Sequence, residues 1–448
     1  MRELILKKGL RLNLSGAPSP DVEQLPDPDR LAVLPHRIPF VAPKLAVGQG
    51  DSVMIGSVLF TDKHTPRLQF VSPGAGTVSE IRYGPRRVVE RIVIDRSMAE
   101  RHRPLTAVDH RRLGELHRDQ LVSVLLDGGL WPLLRSLPLR GIADPDAPPP
   151  PAVIVSLTDR DPFQPAAAVY LTERLPLFDF GLQALALLSG SQPLVAAAAD
   201  EPAVLEMLGG RVTHKVRGAY PAGDPGLVLY QTKTSAALNQ SWFISGQDLL
   251  ILARGLNSGR FPTRRIVALA GIAPEDRRRH YSVRWGAPLR QLVGFDAPSA
   301  ATRLVAGGLL RGYRQQPDDY LGYYESGVMM LPEGDRREFL ALFNPGWRKP
   351  SLSRAYLSRW NPGPLDQDCN RHGGVRACIA CMHCADACPV DILPQMAYKA
   401  ILADELEEVL AHGLMDCLEC GLCSWVCPAK IELTETLKGA RMDYWRQR

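Results

Sequence analysis

All nine cysteines of this 448-residue chain lie between Cys369 and Cys427, and the residues before them contain none. Eight form two copies of one pattern, Cys378-x2-Cys381-x2-Cys384-x3-Cys388-Pro389 and Cys417-x2-Cys420-x2-Cys423-x3-Cys427-Pro428. Two-residue gaps let three thiolates of one tight loop reach three corners of an iron–sulfur cubane. The fourth cysteine, set back three residues and followed by proline, points elsewhere, and in two-cluster ferredoxins it serves the other cluster. The spacing therefore predicts one [4Fe-4S] cluster on Cys378, Cys381, Cys384 and Cys427. A second falls on Cys417, Cys420, Cys423 and Cys388. A zinc site would instead show two Cys-x2-Cys pairs for four tetrahedral ligands, without a repeated third cysteine and Cys-Pro. Cys369 stands outside the pattern and reads as a free thiol near the first cluster or as a substitute ligand.

Cysteines confined to one segment are not the spread staples of a secreted disulfide framework. The N-terminus, Met1-Arg2-Glu3-Leu4-Ile5-Leu6-Lys7-Lys8-Gly9, has no signal-peptide cleavage pattern, so a reducing cytoplasmic location is expected. The apolar stretches Leu182–Leu188 and Leu249–Leu256 fall far short of the about 20 residues that cross a bilayer, and any membrane attachment is expected to be peripheral. The net charge of +5 divides unevenly: from Cys369 onward 8 Lys/Arg face 11 Asp/Glu, so an acidic tail follows a basic body. Basic runs such as Arg277-Arg278-Arg279-His280 come with no nucleic-acid-binding motif, and no nucleic-acid partner is expected.

At about 150 residues per domain, the length predicts a multidomain protein of ordinary globular composition. Residues 40 to 95 read as short strands with Gly-rich turns, a small all-β module resembling a biotinyl/lipoyl-like sandwich. Lys63 lacks the flanking methionines of a carrier lysine, so the module reads as structural. The proline-rich run Asp144–Pro151 marks a linker or domain edge. Beyond it, a strand at Ala152–Leu157, a helix at Phe178–Leu188 and an apolar run at Leu194–Ala199 suggest an α/β domain. Neither Gly209-Gly210 nor Gly74-Ala75-Gly76 completes a dinucleotide fingerprint. Between about Leu227 and Gly312 a second α+β module is expected, with strands at Val228-Leu229-Tyr230, Arg265–Leu269 and Thr302–Gly308 and a capped helix start at Ser245-Gly246-Gln247-Asp248. After Glu338 the chain is expected to be helical. One apolar stripe from Pro394 to His412, ended by Gly413, predicts a helix between the cluster loops and thus an α-helical ferredoxin domain. Small residues in the loops (Ala380, Ala385, Gly421) would admit backbone amides to the cluster sulfurs, and Trp425 would shield a cluster from water.

The run Cys378–Leu433, including Ala-Cys-Pro-Val-Asp-Ile-Leu-Pro-Gln, resembles the RnfC component of the Rnf electron-transport complex. Leu6-Lys7-Lys8-Gly9-Leu10, Ser15-Gly16-Ala17-Pro18, Gly129-Leu130-Trp131, Asp159-Arg160-Asp161-Pro162, Tyr220-Pro221, Gln247-Asp248, Arg265–Gly271 and Asn344–Lys349 resemble the NqrA component of the Na+-translocating NADH:quinone reductase. Typical members of the latter family carry no iron–sulfur motifs. Typical members of the former carry a Gly-rich flavin and NADH site that this sequence lacks.

The resemblance implies a multidomain α+β protein in four parts. These are an N-terminal β-rich biotinyl/lipoyl-like domain (1–110), a degenerate Rossmann-like α/β domain (111–226), a β-grasp soluble-ligand-binding module (227–330), and a helical region with the two-[4Fe-4S] ferredoxin domain (331–448). It further implies a peripheral position on the cytoplasmic face of the bacterial inner membrane, with membrane-embedded and flavin-containing partner subunits. Such a subunit of an ion-translocating NADH:quinone or Rnf-type oxidoreductase would relay single electrons, with quinone a possible ligand and no flavin of its own expected. A mainly structural scaffold and a catalytic, NADH-oxidising flavin/iron–sulfur protein are the alternatives.

Overall fold

The computed structural model describes residues 1–158, 161–294, 301–335, 343–350 and 356–447. Four sheets organise them. Two belong to the N-terminal β module: a four-stranded sheet in the order Arg30–Val33, Val89–Arg96, Gly76–Tyr83, Ser52–Val53, and a three-stranded sheet of Pro43–Leu45, Val58–Asp62 and Gln69–Val71. Leu59, Phe60, Phe70, Val78, Ile92 and Ile94 of these strands are buried in one core cluster, and Phe60 stacks on Phe70 with ring centroids 4.5 Å apart. Lys63 lies in the turn after Asp62, its amide bonded to the Ala42 carbonyl.

The third sheet has six strands in the order Arg2–Ile5, His214–Arg217, Leu194–Ala198, Val153–Ser156, Trp242–Ser245 and Arg135–Ser136. The first five are mutually parallel and the last is antiparallel. Val153, Ile154 and Val155 are all fully buried, as a parallel strand covered on both faces requires. Helices Leu175–Ser189 and Gly246–Ser258 cross at Gly181, where a Cβ would come 2.8 Å from the Leu249 side chain. The second helix starts at the expected cap, the Ser245 hydroxyl accepting the Asp248 amide at 3.1 Å.

Two expectations for this region need correction. Val228-Leu229-Tyr230 is not a strand but part of the helix Pro225–Thr232. The Asp224-Pro225 start, with the Asp224 carboxylate accepting the Gly226 amide, outweighs the β-leaning triplet. The parallel sheet continues to Ser245 and takes in Arg2–Ile5, so it crosses the divisions at 110 and 226. The fourth sheet likewise borrows an early strand. Its order is Tyr313–Gln315, Thr302–Ala306, Gly327–Pro332, Arg264–Gly271, Arg279–Arg284 and Ser19–Gln24, over a core that includes Val267, Leu269, Leu289, Leu304 and Val328.

The expected helical character after Glu338 falls partly on residues outside those described. In the described stretches 343–350 and 356–382 the helical residues are 3-10 in type, Phe343 and the segment Leu357–Trp360. Pro345, Pro350, Pro362 and Pro364 interrupt any longer helix there. Helices begin at His383 and run through His383–Asp386, Pro394–Leu402, Leu406–Ala411, Leu422–Trp425 and the C-terminal helix Leu433–Arg446. The single stripe expected over 394–412 is two helices, broken where Asp404 takes a left-handed φ of 58°. Leu4, Ile154, Phe243 and Leu227 of the body share one core with Val390, Ile392, Leu422 and Leu437 of the tail. Trp445 meets Phe40 and His64 of the β module edge-on, at 5.4 and 5.2 Å. Among the described residues, no helix is long and apolar enough to cross a membrane.

Candidate iron–sulfur site

The repeated spacing is the visible part of a longer repeat of 39 residues, the distance from Cys378 to Cys417. Backbone conformation follows it. Ala380 and Glu419 both have φ 53°, Met382 and Gly421 have φ 64° and 82°, and Asp391 and Lys430 have φ 56° and 61°. Left-handed residues at these matching points give the two halves the same sequence of turns. Each fourth cysteine precedes a proline, and a helix follows, starting at Pro394 in one half and Leu433 in the other. The second residue of each helix touches the third cysteine: Gln395 Oε1 lies 3.2 Å from Cys384 Sγ, and Thr434 Oγ1 3.4 Å from Cys423 Sγ.

The cysteines gather in two groups. Cys388, Cys417, Cys420 and Cys423 line one cavity of about 330 Å³, counting space open to solvent, walled by Ile392, Leu418, Leu422 and Leu437. Cys378, Cys384 and Cys427 pack around Val426, Ala429, Ile431 and Leu433, with Trp425 at the edge. Cys381 is exposed and within electrostatic reach of Cys384. The groups adjoin, since Cys384 acts electrostatically on Cys423. No three His, Cys, Asp or Glu side chains among the described residues converge on a point that would hold a single ion. A cubane makes a different demand: it binds each thiolate at a separate iron and needs a cavity with a cysteine at each corner. The four cysteines that line the first cavity are those the sequence spacing assigns to the second cluster.

Burial pushes the Cys384, Cys388, Cys417 and Cys420 thiols up, and Cys423 up to about 12. Backbone amides work in the opposite direction. Glu419 N–H donates to Cys417 Sγ at 3.4 Å, the Leu422 amide faces Cys420, and those of Val390 and Ile392 face Cys388. Amide donors were expected at the small loop residues. Ala385 does face Cys384, but the larger Glu419, Leu422, Val390 and Ile392 also serve, because the turn and not side-chain size aims the N–H.

Around the buried group stand residues that the cysteine spacing does not mark. Arg441 of the C-terminal helix, wholly buried, donates to the Cys417 carbonyl at 2.8 Å, pairs with Glu419 at 3.0 Å and reaches the Pro138 carbonyl. Tyr220 donates its hydroxyl to the Cys420 carbonyl at 2.7 Å. Asp224 joins Arg140 and Arg311, which reach Cys417 and Cys420 electrostatically. Burial alone would push the Asp224 carboxyl up, but the two guanidiniums hold it below the usual range. A polar residue within an apolar helix stripe, such as Arg441 between Leu437 and the helix end, is the signal that could have found one of them. Cys369 is a correction. It packs against Ala270, Val305, Met329 and Leu331 of the fourth sheet, with its amide on the Pro332 carbonyl, and not among the other cysteines.

Fold and site together define a multidomain α/β protein with an iron–sulfur dicluster domain. The profile of the NqrA N-terminal barrel-sandwich hybrid domain matches residues 4–97, that of the NqrA second alpha/beta domain residues 116–261, and that of a 4Fe-4S dicluster domain residues 377–431. The NqrA component of the Na(+)-translocating NADH-quinone reductase of Hahella chejuensis is 31% identical over 97% of both chains. That of Pseudomonas aeruginosa strain PAO1 is 30% identical over 97% of both. The chain belongs to the NqrA family, whose members are subunits of Na+-translocating NADH-quinone reductases, oxidoreductase complexes. Among solved structures it is similar to an H2-reduced NAD+-reducing [NiFe]-hydrogenase, at 13% identity and TM-score 0.38 over 65% of this chain and 57% of that one.

Proposed function

We propose that this chain is a peripheral electron-transfer subunit of an ion-translocating NADH:quinone or Rnf-type complex. It would relay single electrons through two [4Fe-4S] clusters at the cytoplasmic face of the bacterial inner membrane. Its partners are membrane-embedded and flavin-containing subunits. One cluster is held by Cys378, Cys381, Cys384 and Cys427, the other by Cys417, Cys420, Cys423 and Cys388. The observation that carries this reading is the single cavity that joins Cys388 to the three cysteines of the other motif. When bound, the clusters supply one-electron chemistry; the chain supplies their positions, amide donors and surrounding charge. The degenerate Rossmann-like and β-grasp names for the two body sheets, and quinone binding by the second of them, follow from family resemblance.

Crossed ligation has a direct test in anaerobically purified protein. Cys388→Ala, in the first motif, should disturb the cluster seated on the second, and Cys427→Ala the reverse. Each variant should lose one of two EPR signals, and a triple change of Cys417, Cys420 and Cys423 should lose the same signal as Cys388→Ala. If Cys388→Ala instead removed the signal that depends on Cys378, the ligand sets would be local to each motif and the assignment wrong.

A further inference from the structure

The 39-residue repeat makes the two halves comparable residue by residue, and one difference stands out. Glu419 occupies the position of Ala380, and Arg441 that of Leu402. Leu402 is 67% exposed, whereas Arg441 is 0% exposed. Burying a guanidinium carries a large desolvation penalty that its partners must offset, so a device on one side only calls for a role there. We propose that Arg441 is a positioning residue that sets the buried cluster apart from the exposed one, by clamping the Cys417–Cys420 turn and holding the Glu419 amide on the Cys417 sulfur. This inference rests on the two-cluster reading above.

The clamp has three points. Arg441 Nη1 donates to the Cys417 carbonyl at 2.8 Å and to Glu419 Oε1 at 3.0 Å, while Nη2 donates to the Pro138 carbonyl. Between the first two points lies Glu419, at φ 53°, a left-handed conformation that side-chain-bearing residues disfavour. Fixing its carboxylate and the carbonyl two residues earlier holds that conformation, and with it the amide 3.4 Å from Cys417 Sγ. Ala380 makes the same turn with no side chain to hold. An N–H donor on a ligand sulfur and a nearby cation both favour the more negative, reduced state of a cluster, so Arg441 raises the potential of the buried one. The Glu419 carboxylate acts in the opposite sense on the same sulfur, so the pair can be tested from both sides.

The test is an EPR-monitored redox titration of the full chain with its clusters, after iron content has established that the unsubstituted protein holds two. Arg441→Leu, which gives the second half the residue of the first, should move the buried-cluster midpoint to more negative potential and leave the exposed cluster unchanged. Arg441→Lys should recover part of that shift. Glu419→Gln, which keeps the shape and removes the charge, should move the same midpoint to less negative potential. A role in stability alone would lower the unfolding temperature and iron content without opposite shifts in one signal. Unchanged midpoints at full iron content, or equal shifts in both clusters, would overturn the proposal. Should Arg441→Leu lose its iron, Glu419→Gln decides alone: a positive shift confined to the buried cluster upholds the role and no shift ends it. An unsubstituted protein without two clusters would instead remove the proposed function on which this role depends.

Discussion

Asp224 carries two guanidiniums on one carboxylate, with its own side chain fully enclosed and those of Arg140 and Arg311 9% and 23% exposed. Removing one partner of such a buried group strands the others, at a cost of about 3–5 kcal/mol. Asp224→Asn should therefore lower the denaturation midpoint sharply and release iron from the buried site earlier on heating, which denaturant unfolding followed at the iron–sulfur absorption would measure. The acid limb gives a second reading. The Asp224 carboxyl is held below its usual value in the folded chain. Its stabilisation is thus fully present above the unfolded carboxylate pKa of about 4 and is lost as pH falls through the folded value. Asp224→Asn should lack that component, so its loss of stability relative to the unsubstituted chain should shrink below pH 4. At this scale the sequence made the repeated pattern of eight cysteines readable, because spacing alone encodes it. Asp224, Tyr220 and Arg311 were not readable, because they reach the site from a body whose contact with the cluster loops leaves no local pattern.

Among the elements, the strands and helices with strong local signals stand where their residues imply: the buried strand Val153–Ser156, the helix Leu175–Ser189 and the helix capped by Ser245. Departures come from two causes. Start and stop chemistry at single residues turned Val228–Tyr230 into helix and split the 394–412 stripe at Asp404. Long-range pairing took Arg2–Ile5 and Ser19–Gln24 into sheets built mostly of residues far along the chain, and no local periodicity reports that. The C-terminal helix has the most distant contacts of the tail elements. It brings Thr434, Leu437 and Arg441 to the cysteines of the second motif and Trp445 to Phe40 and His64. Trp445→Ala should cost about 1–2 kcal/mol through lost aromatic contact. It should raise amide exchange over Leu433–Arg446 and at the turn near Phe40, leaving the β-module core protected. Equal loss of protection throughout that core would mean the helix supports the whole module and does not simply dock on it.

For the molecule as a whole, a body of three sheet-containing parts presents one face to a tail whose cysteines fall into a buried group and a more exposed one. The buried group shares its apolar core with the body, while Cys381 and its neighbours Ile379 and Met382 are open to solvent. In the proposed relay, that asymmetry would turn one cluster toward an exchange partner and the other inward. Relatives of similar length, matched over 97% of this chain, are named as subunits of Na(+)-translocating NADH-quinone reductase, and a 4Fe-4S dicluster domain matches residues 377–431. The most direct measurement is low-temperature EPR, with iron and sulfide analysis, on the anaerobically purified, dithionite-reduced chain. Two [4Fe-4S] clusters predict about eight irons per chain and a pair of signals broadened by mutual interaction. Four or fewer irons, a zinc-loaded protein, or a single signal without interaction would contradict the two-cluster relay.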